Sequence, residues 1–337
     1  MLAVQDILAE AASANTTRSY TSALRYWAAW YMARFGDVIG FPVAEAVVIQ
    51  FIVDHIARKT KNGLTTELPA EIDSLLVQAC VKSKLGAMKL STVTHRVAVL
   101  SSLHTLKKLA NPCEEPSVRH LLSRARRASV KRGERPNKKT AITKLELEAL
   151  LATCDDSLEG KRDRALLYFG FASGGRRRSE IAAADWQDLV KVDANTFIYS
   201  LMRSKTEQSG PVAGSVPEKP ILGAAAVALA DWLDTAPITS GALFRRLWKT
   251  RVGPPLSSAA VAEIVQRRSQ LAGLTGDFAG HSLRSGFVTE AGRQGASLAD
   301  VMAMTGHRSV NMVLTYFQSG AAVSNPAANL LVEKLVK

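Results

Sequence analysis

Apolar positions in the first third of the chain recur with helical spacing. Tyr20, Leu24, Trp27 and Tyr31 stand at i, i+4, i+7 and i+11, one face of a helix with Asn15 as its cap. Beyond Pro42, Val48, Phe51, Ile52 and Ile56 mark a second helix. Val93, Val97, Leu100 and His104 mark a third that begins near Ser91. Asn111-Pro112 stops it, and a fourth helix runs from about Ser117 into a cluster of arginines. A one-sided aromatic stripe is read as core in preference to a platform for stacking bases. The stretch from Lys59 to Pro69 is expected to be a loop.

The second half mixes two periods. Leu145 to Ala152 and Arg162 to Ala172 read as helices, and Ser173-Gly174-Gly175 turns into another. Thr196 to Met202 and Val212 to Val216 have strand character, with the polar stretch Ser204 to Gly210 between them as in a hairpin. Helices are expected from Gly223 to the end. The whole reads as mainly α with a small antiparallel sheet.

Composition changes the picture through charge. The 337 residues favour two domains, and 43 Lys+Arg against 30 Asp+Glu give a net charge of +13. Such an excess calls for a polyanionic partner, nucleic acid first and an anionic membrane surface second. The longest apolar stretch, Ile221 to Leu233, is too short to span a bilayer and contains Asp231, so a membrane is not expected. Asp6 and Glu10 interrupt the N-terminus, which is not expected to be a signal peptide. Cys80, Cys113 and Cys154 are scattered without metal spacing, which fits a reducing cytoplasm and no bound metal. The densest basic run carries Arg119, Arg124, Arg126, Arg127, Lys131, Arg132, Arg135, Lys138 and Lys139, opposed only by Glu134. Gly133 and Pro136 break it, so a helix is expected to yield to a basic linker that contacts backbone phosphates. The boundary is placed there: a helical first domain over 1–128, a linker over 129–141, and a second domain with a tail over 142–337.

Five features of the second half suit attack on a phosphodiester. That reaction needs a nucleophile, cations around the non-bridging oxygens and an acid for the leaving oxygen. In Gly175-Arg176-Arg177-Arg178-Ser179-Glu180, a helix sets Arg177 and Glu180 at i, i+3, so the carboxylate can hold a guanidinium for a phosphate. An ordinary surface ion pair has the same spacing, and three consecutive arginines leave open which one faces the ligand. Lys205, at the tip of the expected hairpin, can reach a leaving oxygen, although exposed hairpin lysines are common. His281 and Arg284 share a helical face and suit an oxyanion; the spacing is not a zinc signature. His307 follows Gly306, and Ser309 caps a helix from Val310 that carries Tyr316 near its far end. A phenol needs help at neutral pH, and nearby cations favour the phenolate.

Taken in order, these residues resemble the tyrosine recombinase, or phage integrase, family. Arg177 with Ser179-Glu180 is similar to its first arginine motif, with Trp186 and Asp188 following. Lys205 resembles its hairpin lysine, His281 and Arg284 its His-x-x-Arg, His307 its Gly-His, and Tyr316 its nucleophile. The N-terminal half is more loosely similar to the family's core-binding domain in a Cre-like two-domain organisation.

The resemblance implies a two-domain clamp on duplex DNA. Tyr316 would attack the scissile phosphate to give a 3′-phosphotyrosine, with Arg177, Arg284 and His307 stabilising the phosphate. Lys205 would be the general acid, with His281 assisting. It implies no cofactor, no ATP and a tetramer on a specific DNA site, in a bacterial or phage setting. The apolar positions Leu330, Leu331, Leu335 and Val336 would let the tail dock on a neighbouring protomer or on its own domain. Two other readings stay open: a DNA-binding protein of the same fold without catalysis, and a type IB topoisomerase-like enzyme.

Overall fold

The structure is a computed structural model and describes residues 14–61, 63–134, 139–201, 217–249, 251–307 and 309–321. It is mostly helical with small antiparallel sheets. The chain divides into two compact units, residues 1–136 and 137–337.

The first unit is built on aromatic packing. Helix α1 (Ala14–Phe35) buries Ala23, Tyr26, Trp27 and Trp30, while Tyr20 is exposed. The buried stripe is therefore rotated from the expected Tyr20–Leu24–Trp27–Tyr31 line, and Asn15 lies within the helix. The rotation follows the partner: α2 (Glu45–His55) presents Phe51, which stacks on Trp27 with ring centroids 3.7 Å apart and meets Trp30 edge-on at 5.0 Å. Val48, Phe51 and Ile52 of α2 are buried as expected.

The expected loop from Lys59 is partly ordered. Strands β1 (Arg58–Thr60) and β2 (Gly63–Thr65) form a hairpin that pairs Arg58 with Thr65 and Thr60 with Gly63. Its polar, exposed residues carry no alternation, which is why no strand was legible. Helix α3 (Ala70–Gln78) follows, and the buried Lys82–Asp73 ion pair straps down the next turn, with Asp73 also accepting from Gly86 N. Helix α4 (Leu90–Leu106) buries Val93, Val97, Leu100 and His104 as predicted, although Lys89 stands at its N-cap instead of Ser91. Helix α5 (Pro116–Lys131) starts on a proline, which suits the first helical turn where no N–H is needed.

The second unit opens with α6 (Lys144–Ala152), where Glu146 reaches back to the backbone N–H of the capping Thr143. Helix α7 (Leu158–Ala172), capped by Ser157, begins a turn earlier than expected. The short α8 (Arg178–Ala182) leads into an antiparallel sheet ordered β3 (Leu189–Asp193), β4 (Thr196–Ser200), β5 (Glu218–Leu222). Phe197 pairs with Ile221 and Tyr199 with Lys219, and all four are buried on one face. The expected strand at Val212–Val216 lies outside the described residues. Helix α9 (Ala224–Thr235) covers α7. A ribbon of β6 (Arg245–Trp248) and β7 (Arg251–Pro255) then interrupts the helical run expected after Gly223. Its arginines and prolines masked the strand signal. Helices α10 (Ser258–Leu271), α11 (Gly280–Arg293), α12 (Leu298–Thr305) and α13 (Val310–Ala321) complete the described chain. Helix α11 packs against α7, α12 and α13. A Cβ on Gly292 would lie 2.4 Å from Phe317 O, so only glycine allows α13 so close.

Cys113 and Cys154 are buried and Cys80 is exposed. No helix among the described residues is long and apolar enough to cross a membrane.

Candidate active site

Four local structures of the second unit bring together Arg177, Glu180, His281, Arg284, His307 and Tyr316. The first is the turn into α8. Its three arginines take three different places. Arg176 is fully buried, Arg178 is exposed, and Arg177 keeps 18% of its side chain open while donating from Nη1 to Glu180 Oε1 at 2.5 Å. Glu180 is itself buried and also accepts from the backbone N–H of Arg177 at 3.1 Å. Burial pushes the Glu180 carboxyl up, but Arg176, Arg177 and that N–H outweigh it and hold it below the usual carboxylate value. The i, i+3 pair is therefore no solvated surface pair.

The second is the start of α11. Arg284 is 2% exposed and spends three donors within the protein: Nη1 to Gly175 O at 3.1 Å, Nη2 to Thr305 O at 2.8 Å and Nε to His307 Nε2 at 3.3 Å. A guanidinium has five N–H groups, so two remain for a ligand. Burial, then the neighbouring Arg177, pushes Arg284 down to about 9, which leaves it charged at neutral pH. His281 sits one turn away at the open rim of the same helix. Desolvation, then Arg284 and Arg177, lowers its pKa.

The third is the turn after α12, where Gly306 adopts φ +67° as a left-handed cap and delivers His307. His307 Nδ1 lies 2.7 Å from Thr305 Oγ1, whose hydroxyl donates to Val301 O at 2.8 Å. That network assigns the ring proton to Nδ1, so Nε2 is the acceptor for Arg284. Burial, then Arg284 and Arg177, pushes His307 down to about 3, so the ring is neutral at pH 7.

The fourth is α13, which carries Tyr316 in its middle instead of near its far end. The ring is half-buried against the small cluster of Val288, Val301 and Val313, and meets His281 edge-on at 6.5 Å between centroids. Thr289 Oγ1 of α11 donates to Tyr316 O at 3.5 Å, which ties the two helices at this level.

Among the described residues, Glu180 is the one carboxylate that acts on Arg176, Arg177 and Arg284 alike. Three cations against one anion leave a surplus of positive charge beside a tyrosine, which is what an oxyanion ligand requires.

Lys205 lies outside the described residues, as do Arg135 and Lys138. Arg124, Arg126, Arg127 and Lys131 are exposed on α5. Arg132 pairs with Glu134 at 2.7 Å, and Lys139 with Asp277 at 2.5 Å, so these two are less open to a phosphate. The sequence reading missed Thr305, which orients His307, and Arg176 and Lys219, which are buried beside α12. Lys219 carried a signal: it alternates with Ile221 on the face of β5 that turns inward.

The family model for the phage integrase family matches residues 140–322. Among curated proteins, the chain is 34% identical over 283 residues to an integrase/recombinase xerD homolog of Selenomonas ruminantium, covering 80% of each chain. It is 24% identical over 327 residues to the recombinase cre of Escherichia phage P1, covering 92% of this chain and 85% of that one. Among solved structures, the Tn1549 transposon integrase in complex with transposon right end DNA superposes with a TM-score of 0.58 at 15% identity, covering 97% and 98% of the two chains. A lambda integrase dimer bound to a COC′ core site gives 0.54 at 16% identity, covering 94% and 93%. At these identities the structures speak for the fold alone.

Proposed function

Because the chain belongs to the phage integrase family, the family of the tyrosine recombinases, we propose that it is a site-specific recombinase that cuts and rejoins duplex DNA through a covalent bond to Tyr316. The observation that carries the reading is the convergence of Arg177, His281, Arg284 and His307 beside Tyr316, with more positive charge than Glu180 neutralises.

In this reading the scissile phosphate enters the surplus positive field. Arg177, held by Glu180, and the two uncommitted N–H groups of Arg284 bind its non-bridging oxygens. The phosphate charge opposes the desolvation and the arginine repulsion that keep His307 neutral, so its pKa rises on binding; with Arg284 Nε turned from His307 Nε2 to the phosphate, that nitrogen can take a proton and become a second donor. Tyr316 Oη attacks phosphorus, the P–O5′ bond breaks, and the products are a 3′-phosphotyrosine and a free 5′-hydroxyl. Lys205 supplies the proton for the departing 5′ oxygen, and His281, whose ring faces that of Tyr316, takes or relays the phenolic proton. The phosphotyrosyl link conserves the energy of the broken ester, so rejoining needs no ATP. Exchange between two duplexes requires four cuts, so the working form is a tetramer on DNA.

The test is a nicked suicide duplex carrying the cognate site, incubated with the protein in chelator and resolved on a denaturing gel. A protein–DNA adduct is expected, absent from Tyr316→Phe although that variant binds DNA as tightly. An adduct with Tyr316→Phe would move the nucleophile elsewhere, and tight binding with no adduct from either protein would favour a non-catalytic DNA-binding role. Strand passage on plasmids lacking the site would favour topoisomerase-like activity. The exposed Arg124, Arg126, Arg127 and Lys131 are assigned to backbone phosphates. Replacing Arg126 and Arg127 by Ala is expected to flatten the slope of log K against log salt by about 2, since each phosphate contact contributes about 0.9.

A further inference from the structure

The last turn of α12 ends against three buried cations, and two of them have no place in the chemistry above. Ala303 O accepts from Lys219 Nζ at 2.7 Å, Met304 O from Arg176 Nη2 at 2.6 Å, and Thr305 O from Arg284 Nη2 at 2.8 Å. The three come from separate elements: Lys219 from β5, Arg176 from the turn before α8, and Arg284 from α11. Each is at most 2% exposed. The final carbonyls of a helix lack intrahelical partners and carry the negative pole of its dipole, so cations are favoured there. Their number is the unusual feature, because burying an ammonium or guanidinium is unfavourable unless its bonds are well made.

The helix is eight residues long, too short to hold its shape without tertiary support. What it delivers is the Gly306 turn and His307, and its last carbonyl is one of the three atoms that fix Arg284. The end of α12 is thus the plate on which two of the phosphate-facing groups are mounted. Two further details show that the chain is committed to this contact. A Cβ at Gly174 would stand 2.2 Å from Met304 O, so the turn carrying Arg176 can approach α12 only through glycine. Arg176 Nε and Nη1 find no hydrogen-bond acceptor among the described residues, with Nη1 3.7 Å from Glu180 Oε2. An apolar side chain of similar volume would fill that space without the desolvation penalty. The cation is there for its bond to Met304 O and its pull on Glu180, which in turn holds Arg177.

We propose that Arg176 and Lys219 are positioning residues: they clamp the C-terminal turn of α12 so that Arg284, His307 and, through Glu180, Arg177 hold the geometry that receives a phosphate. The inference rests on the reading of this site as one that cleaves DNA through Tyr316. Neither residue touches the phosphate, so DNA affinity is expected to survive their loss while the cleavage step slows.

The experiment uses the full chain, the nicked cognate duplex and four variants: Arg176→Met, Lys219→Met, Arg176→Lys and Lys219→Arg. Single-turnover cleavage at saturating DNA, DNA affinity and the ring NMR titration of His307 are measured on each. The Met variants are expected to cleave up to about 100-fold more slowly, with affinity within about 2-fold of wild type, since an ångström of displacement has that effect on chemistry. His307 should titrate at higher pH in them: in Lys219→Met because a released Arg284 repels its proton less, and in Arg176→Met because the lost charge of Arg176 adds to that effect directly. The Lys and Arg swaps keep a buried cation on the carbonyl and should recover most of the rate. Folded Met variants that cleave at the wild-type rate overturn the proposal. So does a loss of fold that the swaps repair without restoring the His307 titration, which would leave a purely structural role. If wild-type protein forms no Tyr316-dependent adduct, the reading of the function fails instead, and the His307 titration in Lys219→Met, whose charge does not itself act on the ring, still decides whether the clamp positions the site.

Discussion

Each unit holds a histidine ring bonded at both nitrogens, fully buried in the first and half-buried at His307 in the second, and the contrast between them separates packing from chemistry. In the first unit His55 is 1% exposed, its Nδ1–H donating to Phe51 O at 2.6 Å and its Nε2 accepting from Tyr26 Oη at 2.7 Å. His104 is fully buried and likewise spends both nitrogens, Nδ1 on Leu100 O at 2.9 Å and Nε2 on Val43 N at 3.0 Å. These rings are satisfied core groups. In the second unit half-buried His307 is also bonded at both nitrogens, yet desolvation and its neighbours Arg284 and Arg177 oppose a proton there, with no balancing anion acting on the ring among the described residues. A buried polar group whose bonds close on themselves belongs to the fold. One left in a surplus of like charge points to a ligand that completes it.

The largest expected effect falls on the first unit. Trp30→Ala removes a fully buried indole between Phe51 and Trp27 and its bond to Asp54. It should cost about 3–5 kcal/mol, read from the urea midpoint of the whole chain. The cleavage rate of molecules that remain folded should not change. If that rate fell with stability, the division between packing and chemistry would be broken.

Arg177→Ala tests the other side. It removes a group proposed to bind the phosphate and should slow adduct formation by about 10²–10³-fold. It also relieves repulsion on Arg284 and His307, so stability should shift by less than about 1 kcal/mol. A variant that lost both activity and stability would show that Arg177 is structural.

The pH dependence sharpens the comparison with the smallest effect. Desolvation, the largest cause, pushes His55 down to about 4 from an ordinary 6.5. The native ring is neutral, and the unfolded chain takes up a proton below pH 6.5. The contribution is therefore present above that pH and lost as pH falls from 6.5 to 4, about 3 kcal/mol in all. Protection of the α2 amides, corrected for intrinsic exchange, should follow it. Cognate DNA should raise the titration of His307 and leave that of His55 where it is. Equal movement of both would argue against a phosphate beside His307.

Much of the site was legible because its residue types are demanding and their order is linear. Arg177 with Glu180, His281 with Arg284, Gly306 with His307, and Tyr316 could each be read at helical or turn spacing, and α1, α2 and α4 of the first unit followed from apolar period, whereas α3 (Ala70–Gln78) was not read from the sequence. Exposed polar strands such as Arg58–Thr60 and Arg245–Trp248 left no such trace, because alternation is visible only where one face is buried. By itself the sequence determined the helical periods, the basic surplus and the set of groups suited to a phosphodiester. The tertiary structure alone decided which face of α1 turns inward, which of three successive arginines is buried, and that three cations end on one helix terminus. These depend on what each group meets across the fold: Phe51 against α1, Met304 O against Arg176, Ala303 O against Lys219. A local period carries no information about such partners, since burial and charge balance are set by residues more than eighty positions apart, as Lys219 and Ala303 are.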